Sequence, residues 1–241
     1  MKKLQSLLKG HRYICFMDFE GTQFSHEMIA IGAVVATLDR NGNIKKYKKQ
    51  FLMYVTAKNK VGRVVTNLTG ITDAKLAKEG KPFSTVMKEF KNYCGIAFKK
   101  MSFMTFGNHD MRILGQSIVY NLDAPREICS QIQKNYIDYL QFIQEFIKDD
   151  SNNPLSLVNY VKHFNLKEAG PAHDPAVDAI NLAHLYQAFL DNKGIVLDDY
   201  LNTLARTSHL PMPIQAAVKK LAKGEDVKAE EFAYNARKYL E

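Results

Sequence analysis

Apolar residues come in short runs near the start of this chain and in helical periods further on. The run YICFMDF, residues 13–19, ends in acids and fits a buried strand. MIAIGAVVATL, residues 28–38, is a second such run. The turn from Arg40 to Asn43 follows, and its Asn-Gly pair favours a tight hairpin. A third strand is therefore expected from about Lys45 to Val55. Three sequential strands joined by short turns make an antiparallel meander. The pattern then changes. TDAKLAKEG, residues 72–80, has a cap-like start and a Gly stop. Phe83, Val86, Met87, Phe90 and Cys94 share one helical face of residues 83–98. Residues 102–107 read as a strand and 109–121 as a helix. Residues 136–147 read as a strand running into a helix. Helices are expected over 154–164, led by Pro154, and over 174–191. Strands alternating with helices imply parallel crossovers. The sum is an α/β fold: a mixed five-stranded sheet, three antiparallel strands and then parallel ones, flanked by helices. From Ile195 the pattern is helical, broken at 210–214. We expect one domain over 1–194 and a helical extension over 195–241.

Composition narrows the class. Hydrophobic residues make up 46% of the 241 and aromatics 11%, enough for a substantial core and against global disorder. Cys15, Cys94 and Cys129 are far apart in sequence, which argues against a thiolate zinc site or a disulfide scaffold. A reducing cytoplasm is the simplest setting. The first residues hold too short an apolar stretch for a secretory signal, and no run approaches membrane-spanning length. No membrane partner is expected.

Net charge is +8, and it is uneven. Residues 198–241 carry seven basic and seven acidic residues. Residues 40–72 carry eight basic residues, Arg40 through Arg63, and no acid. A polyanionic partner would meet such a stretch. A solvated edge strand that uses lysine against edge pairing accounts for it equally well.

Three stretches carry candidate chemistry. In FMDFEGT, Asp18 and Glu20 are two apart, so both leave the same face of a strand. Two carboxylates on an otherwise apolar strand need a cation between them or raised pKa values, unless the strand has ended and water covers both. In FGNHDMRIL, His109 and Asp110 open a helix after a Gly-Asn elbow, and Asp110 also suits the helix dipole there. In GPAHDPAVDA, Asp174 fits an N-cap and Pro175 the first helical position. Capping leaves His173 and Asp178 unexplained. The four carboxylates lie at strand ends or helix starts, where one edge of a mixed sheet can gather them. All-oxygen donors suit Mg²⁺ or Mn²⁺. Two such ions would stabilise the attacking and leaving oxygens of phosphodiester cleavage. An imidazole titrating near neutrality suits His173 to proton transfer.

These three motifs, in this order, resemble those of the DEDDh family of 3′–5′ exonucleases. The similarity spans about residues 10–192 and includes EMIAIGAV (27–34), residues 54–55 and NLTGIT (67–72). The five-residue step from His173 to Asp178 is the form that separates this branch from the tyrosine branch. The resemblance implies a ribonuclease H-like fold acting on a single-stranded DNA or RNA 3′ end. It implies two Mg²⁺ or Mn²⁺ ions, with Asp18, Glu20 and Asp178 as direct ligands. Asp110 would hold the second ion, partly through water, and His173 would be the general base. Gly21 and Thr22 correspond to where the family's backbone meets the terminal sugar, and Asn108 to a position that supports the second motif. Gly21, Thr22 and Gln23 stand where many relatives have Thr-Thr-Gly, and Ala30 replaces an acid often found in the second strand. Neither change touches a metal ligand.

Two rivals remain. DFEGT also resembles the DxDGT motif of haloacid-dehalogenase-type phosphatases, whose first Asp is a nucleophile. Glu20 is one methylene too long for that motif, and no downstream GDxxxD pair exists. A non-catalytic nucleic-acid-binding module would be expected had a ligand been lost, yet all five positions are filled. The remaining histidines show no metal-ligand spacing. His109 could reach substrate, and Phe24 could stack on a terminal base. Core packing suits Phe19 better. In the tail, Phe232, Ala236, Tyr239 and Leu240 share a helical face. It would dock on the exonuclease core or meet a partner helix, a second copy of the chain included.

Overall fold

The computed structural model describes residues 2–171, 173–207 and 209–240. Six strands form one mixed sheet: β1 (Tyr13–Gly21), β2 (Met28–Leu38), β3 (Ile44–Tyr47), β4 (Phe51–Tyr54), β5 (Met101–Thr105) and β6 (Tyr136–Asp138). The order is β3-β2-β1-β5-β6, with β4 also pairing β2. β1 and β2 are antiparallel, whereas β1–β5 and β5–β6 are parallel. The expected mixed sheet is therefore present.

The third expected strand forms as two pieces, β3 and β4. Tyr47 lies opposite Ala36 and Phe51 opposite Ala33, so residues 48–50 face only residues 34 and 35. One extra residue in a strand is a bulge, and it bends the strand there. The Lys48 amide still donates to the Val35 carbonyl at 2.8 Å. Its Nζ turns away to the carbonyls of Tyr93 and Cys94, at 2.8 and 3.3 Å.

The helices of the first part are α1 (Lys2–Leu7), α2 (Arg63–Thr69), α3 (Asp73–Glu79), α4 (Phe83–Cys94), α5 (His109–Tyr120), α6 (Arg126–Lys134), α7 (Tyr139–Ile143), α8 (Leu157–His163) and α9 (Pro175–Asp191). A 3₁₀ turn, Gly95–Lys100, joins α4 to β5. The sequence pattern anticipates α3, α4, α5 and α9 closely. It misses α1, α2 and α6, which are only six to nine residues long. α8 starts at Leu157 rather than at Pro154.

Alternation along β1 sorts its side chains between two faces. Cys15, Met17 and Phe19 join one buried cluster with α4, α5 and α6 residues such as Phe90, Ile113 and Ile132. Phe16 turns the other way, edge-on to Tyr186 of α9 at 5.4 Å between ring centres. Asp18 and Glu20 share that face by parity.

The chain divides into two compact units, residues 1–140 with 157–190, and residues 141–156 with 191–241. The second holds α10 (Lys193–Ala205), α11 (Met212–Leu221) and α12 (Ala229–Leu240). Within it the Thr203 hydroxyl donates to the Phe146 carbonyl at 3.1 Å, and Arg206 pairs with Asp150 at 3.2 Å. α12 meets α11 through Lys220 and Glu231, 2.7 Å apart, and none of its described residues is buried.

Candidate active site

β1 outruns its parallel neighbour. Its pairing with β5 ends at Phe16–Met104, so the strand's last residues need other partners on that side. The Phe19 amide finds one in Asp110, whose Oδ1 accepts its proton at 2.7 Å. An unpaired buried N–H would cost about 1–3 kcal/mol, so Asp110 fastens the first turn of α5 to β1 between the two β1 acids. Asp110 itself is 5% exposed.

The second approach to Asp18 comes through a glycine. Asp18 pairs with Gly32 of β2. A Cβ on Gly32 would lie 2.0 Å from the Pro175 carbonyl carbon, 2.1 Å from its oxygen and 2.2 Å from the Ala176 nitrogen. All three are backbone atoms at the start of α9. Only a residue without a side chain lets that helix end rest on β2 beside Asp18. Gly32→Ala should therefore push α9 outward, reducing stability by about 2 kcal/mol or more. Catalytic turnover should fall further than stability at temperatures where the variant remains folded. Unaltered turnover in a folded Gly32→Ala protein would remove this contact from the site.

The start of α9 matches its sequence reading. Asp174 Oδ1 accepts from the amides of Ala176 and Val177 at 3.0 and 3.3 Å. His173 has a left-handed backbone, φ 64°, and its amide donates to Asp178 Oδ2 at 3.0 Å. That bond orients the Asp178 carboxylate and sets His173 against it. The His173 side chain is exposed to solvent.

The electrostatics show that the acids converge. Asp18 is raised well above the usual carboxylate range, first by loss of water and then by Asp110, Glu20 and Asp178. Glu20 is pushed up to about 8 by burial and then by Asp178 and Asp110. Asp110 is pushed up to about 7, chiefly by burial; the Phe19 amide and the Thr105 hydroxyl oppose the rise. Asp178 is raised by burial, with His173 pulling the other way. Among the described residues, no group of three His, Cys, Asp or Glu is set as it stands to hold a metal ion. The donor chemistry nevertheless fits a hard divalent cation: oxygen ligands only, short of water, each disfavouring its neighbours' charge.

The remaining predicted positions divide. Gly21 lies against Ile113, where a Cβ would come within 2.9 Å of its side chain. Thr22 is 1% exposed and spent on its own turn. Its hydroxyl accepts from the Glu27 amide at 2.9 Å and meets Ser25 at 2.6 Å, and its amide donates to the Glu27 carbonyl at 2.8 Å. Asn108 is exposed at the N-cap of α5, without a side-chain cap bond.

Sequence reasoning missed two supporting residues. Gly32 did carry a signal, since a lone glycine inside a strand marks close backbone approach. Glu27 carried none. It is wholly buried, and its carboxylate accepts from the amides of Lys58 and Asn59 at 2.9 and 3.0 Å and from the Asn59 side chain at 3.1 Å. It thereby ties the basic loop 56–62 to the turn that follows the β1 acids. His26, on that turn, meets His109 edge-on at 5.3 Å.

An α/β sheet with acids gathered at the end of its central strand is the architecture of known nucleases. The solved nuclease domain of 3′hExo, a DEDDh family member bound to rAMP, superposes with a TM-score of 0.59 at 21% identity, over 76% of this chain and 93% of that one. Cell-death related nuclease 4 gives 0.58 at 20%, over 76% and 64%. E. coli Exonuclease I in complex with a dA16 oligonucleotide gives 0.59 at 15%, over 86% and 45%. The chain thus spans less than two thirds of the latter two. No curated protein matches it significantly in sequence. The RNase T exonuclease family matches residues 15–186, and the chain belongs to that family. That family is one of exonucleases, which sets aside the phosphatase reading. No helix among the described residues is long and apolar enough to cross a membrane.

Proposed function

We propose that this chain shortens single-stranded DNA or RNA from the 3′ end and releases nucleoside 5′-monophosphates. The observation that carries the reading is the gathering of Asp18, Glu20, Asp110 and Asp178: burial and then Asp110, Glu20 and Asp178 raise Asp18, and burial and then Asp178 and Asp110 raise Glu20. Asp18, Glu20 and Asp178 would hold divalent cations, Mg²⁺ or Mn²⁺, with Asp110 completing the set through the oxygen that Phe19 leaves free. Bound there, two such ions would supply electrostatic stabilisation of the attacking and leaving oxygens. The chain's own groups do the rest. His173, exposed and set beside Asp178 by its backbone, takes the proton of the attacking water. Asp178 steadies the imidazolium that results. Gly21, whose missing side chain makes room for Ile113, offers its backbone to the terminal sugar, while Thr22 and Glu27 hold that turn.

The test is digestion of end-labelled DNA and RNA oligonucleotides with Mg²⁺, with Mn²⁺ and with chelator. A ladder shortening from the 3′ end, silenced by chelator, is expected. Products carrying a 3′-phosphate, or cleavage inside a circular strand, would overturn the proposal. His173→Ala should slow turnover by about 10²–10⁴-fold. It should leave metal-induced thermal stabilisation intact. Turnover within tenfold of the parent would take the proton-transfer role from His173.

A further inference from the structure

Outside the acidic site, the strongest concentration of charge is a pair of adjoining clefts, about 410 and 740 Å³, between α4 and α6. Lys91, Glu127 and Ile128 line both. Lys99 and Lys134 extend the first, and Lys88 and Arg126 the second. Five cations and one acid thus line the pair, and all five cations are exposed. Asp123, its pKa lowered first by the Ser84 hydroxyl, lies close enough to Lys88 to be lowered by it as well. The floor is firm. Ile128 and Phe98 are buried beneath it, and the Lys99 carbonyl accepts from the side chains of Gln131 and Asn135 at 3.2 and 3.4 Å. Five like charges held along one groove raise the energy of the free protein and attract a polyanion.

Of the basic residues the sequence singles out, Lys48 is bound to two backbone carbonyls, Lys58 Nζ reaches the Tyr120 carbonyl, and Lys60 pairs with Asp73 at 3.7 Å, while Arg40, Lys45, Lys46, Lys49 and Arg63 are exposed. The α4–α6 cations come from separate segments and were invisible as a run.

We infer that the α4–α6 groove binds the phosphate backbone of the nucleic acid several nucleotides upstream of the end being cut. This rests on the proposed exonuclease reading, which supplies a polyanion that must be held while its end is consumed. Placement sets a length. Lys99 and Lys134 flank the starts of β5 and β6, and Tyr13 of β1 pairs with Met101 there. Glu20 lies seven residues further along β1, roughly 23 Å at 3.3 Å per residue, and its side chain leaves the sheet face opposite α4 and α6. A stacked strand advances about 3.4 Å per phosphate and must also round the sheet, so more than about seven nucleotides separate the acids from the far end of the groove. Shorter strands cannot reach both.

The experiment compares the full chain with a Lys91→Ala, Lys99→Ala, Lys134→Ala triple variant. Binding of a labelled 20-mer is read by anisotropy in chelator across a salt series, and hydrolysis of a 20-mer and a 4-mer is measured separately with Mg²⁺. The variant should bind the 20-mer on the order of tenfold more weakly at low salt. The slope of log affinity against log salt should shrink by about 2, at roughly 0.7 per single-strand phosphate contact. Hydrolysis of the 4-mer should be unchanged. Equal affinity and slope for the two proteins would overturn the groove. So would a variant that loses 4-mer hydrolysis equally, or a groove that binds polyglutamate as tightly as the 20-mer. If the unaltered chain degrades neither substrate, the exonuclease reading fails instead, and the anisotropy still reports on the groove.

Discussion

Asp18→Ala and Asp178→Ala should each abolish measurable exonuclease turnover, a loss of at least about 10³-fold or roughly 4 kcal/mol of transition-state stabilisation. The reason is geometric. Asp18 sits on β1, opposite Gly32 and hence against the start of α9, while Asp178 lies on the first turn of that helix. Removing either side chain leaves the others too few to hold an ion between strand and helix. Asp110→Ala should cost turnover by a different route. Its Oδ1 satisfies the Phe19 amide, so the variant strands a buried donor between Asp18 and Glu20 and should also melt earlier. Turnover and melting temperature, measured together with and without Mg²⁺, separate the two. Asp18→Ala should lose activity without losing stability in chelator, and Asp110→Ala should lose both. An Asp18→Ala protein that turns over within tenfold of the parent would dissolve the whole assignment.

Much of this site was legible because its residues are also local structural signals. Asp174 caps α9 and Pro175 opens it, so the third motif announces its own place in the fold. Two-residue spacing put Asp18 and Glu20 on one face, and Phe16 against Tyr186 fixes which face that is. What stayed hidden depends on partners distant in sequence. Asp110 was legible as the fourth acid, but not its hold on β1, because nothing local says that β1 outruns β5 and leaves the Phe19 amide open. Glu27 drew no notice because its partners, Lys58 and Asn59, arrive thirty residues later. The bulge at residues 48–50 escaped notice for a similar reason, since it needs the register of β2. Short helices such as α2 and α6 hold too few turns for periodicity to register.

Without metal, the protein should lose stability as pH rises from about 4 to about 8, through the carboxylates of the site. Asp18, Glu20 and Asp110 all have raised pKa values in the folded chain, Glu20 to about 8 and Asp110 to about 7. Over that range the folded chain keeps protons that the unfolded chain has released. Stability is therefore full below pH 4, where both states are protonated, and is lost as pH passes the folded values. His11, His26, His109 and His184 act in the opposite sense, because burial lowers them and folding there favours higher pH. The cleanest readout is thus a difference between two proteins that share those histidines. Asp18→Asn removes one carboxylate charge and keeps the shape. In chelator at pH 8 it should melt higher than the parent, each kcal/mol moving a domain of this size by about 2–4 °C. Below pH 4 the gap should close, because Asp18 is then protonated in the folded and unfolded chains alike. Saturating Mg²⁺ should raise the parent at pH 8 by mass action and leave Asp18→Asn nearly unmoved. The two curves should therefore cross, with the variant more stable when stripped and the parent more stable when loaded. A variant that melts lower than the parent in chelator at pH 8 would mean that Asp18 is stabilising as a bare anion. Mutual repulsion relieved by a cation would then not be what draws these acids together.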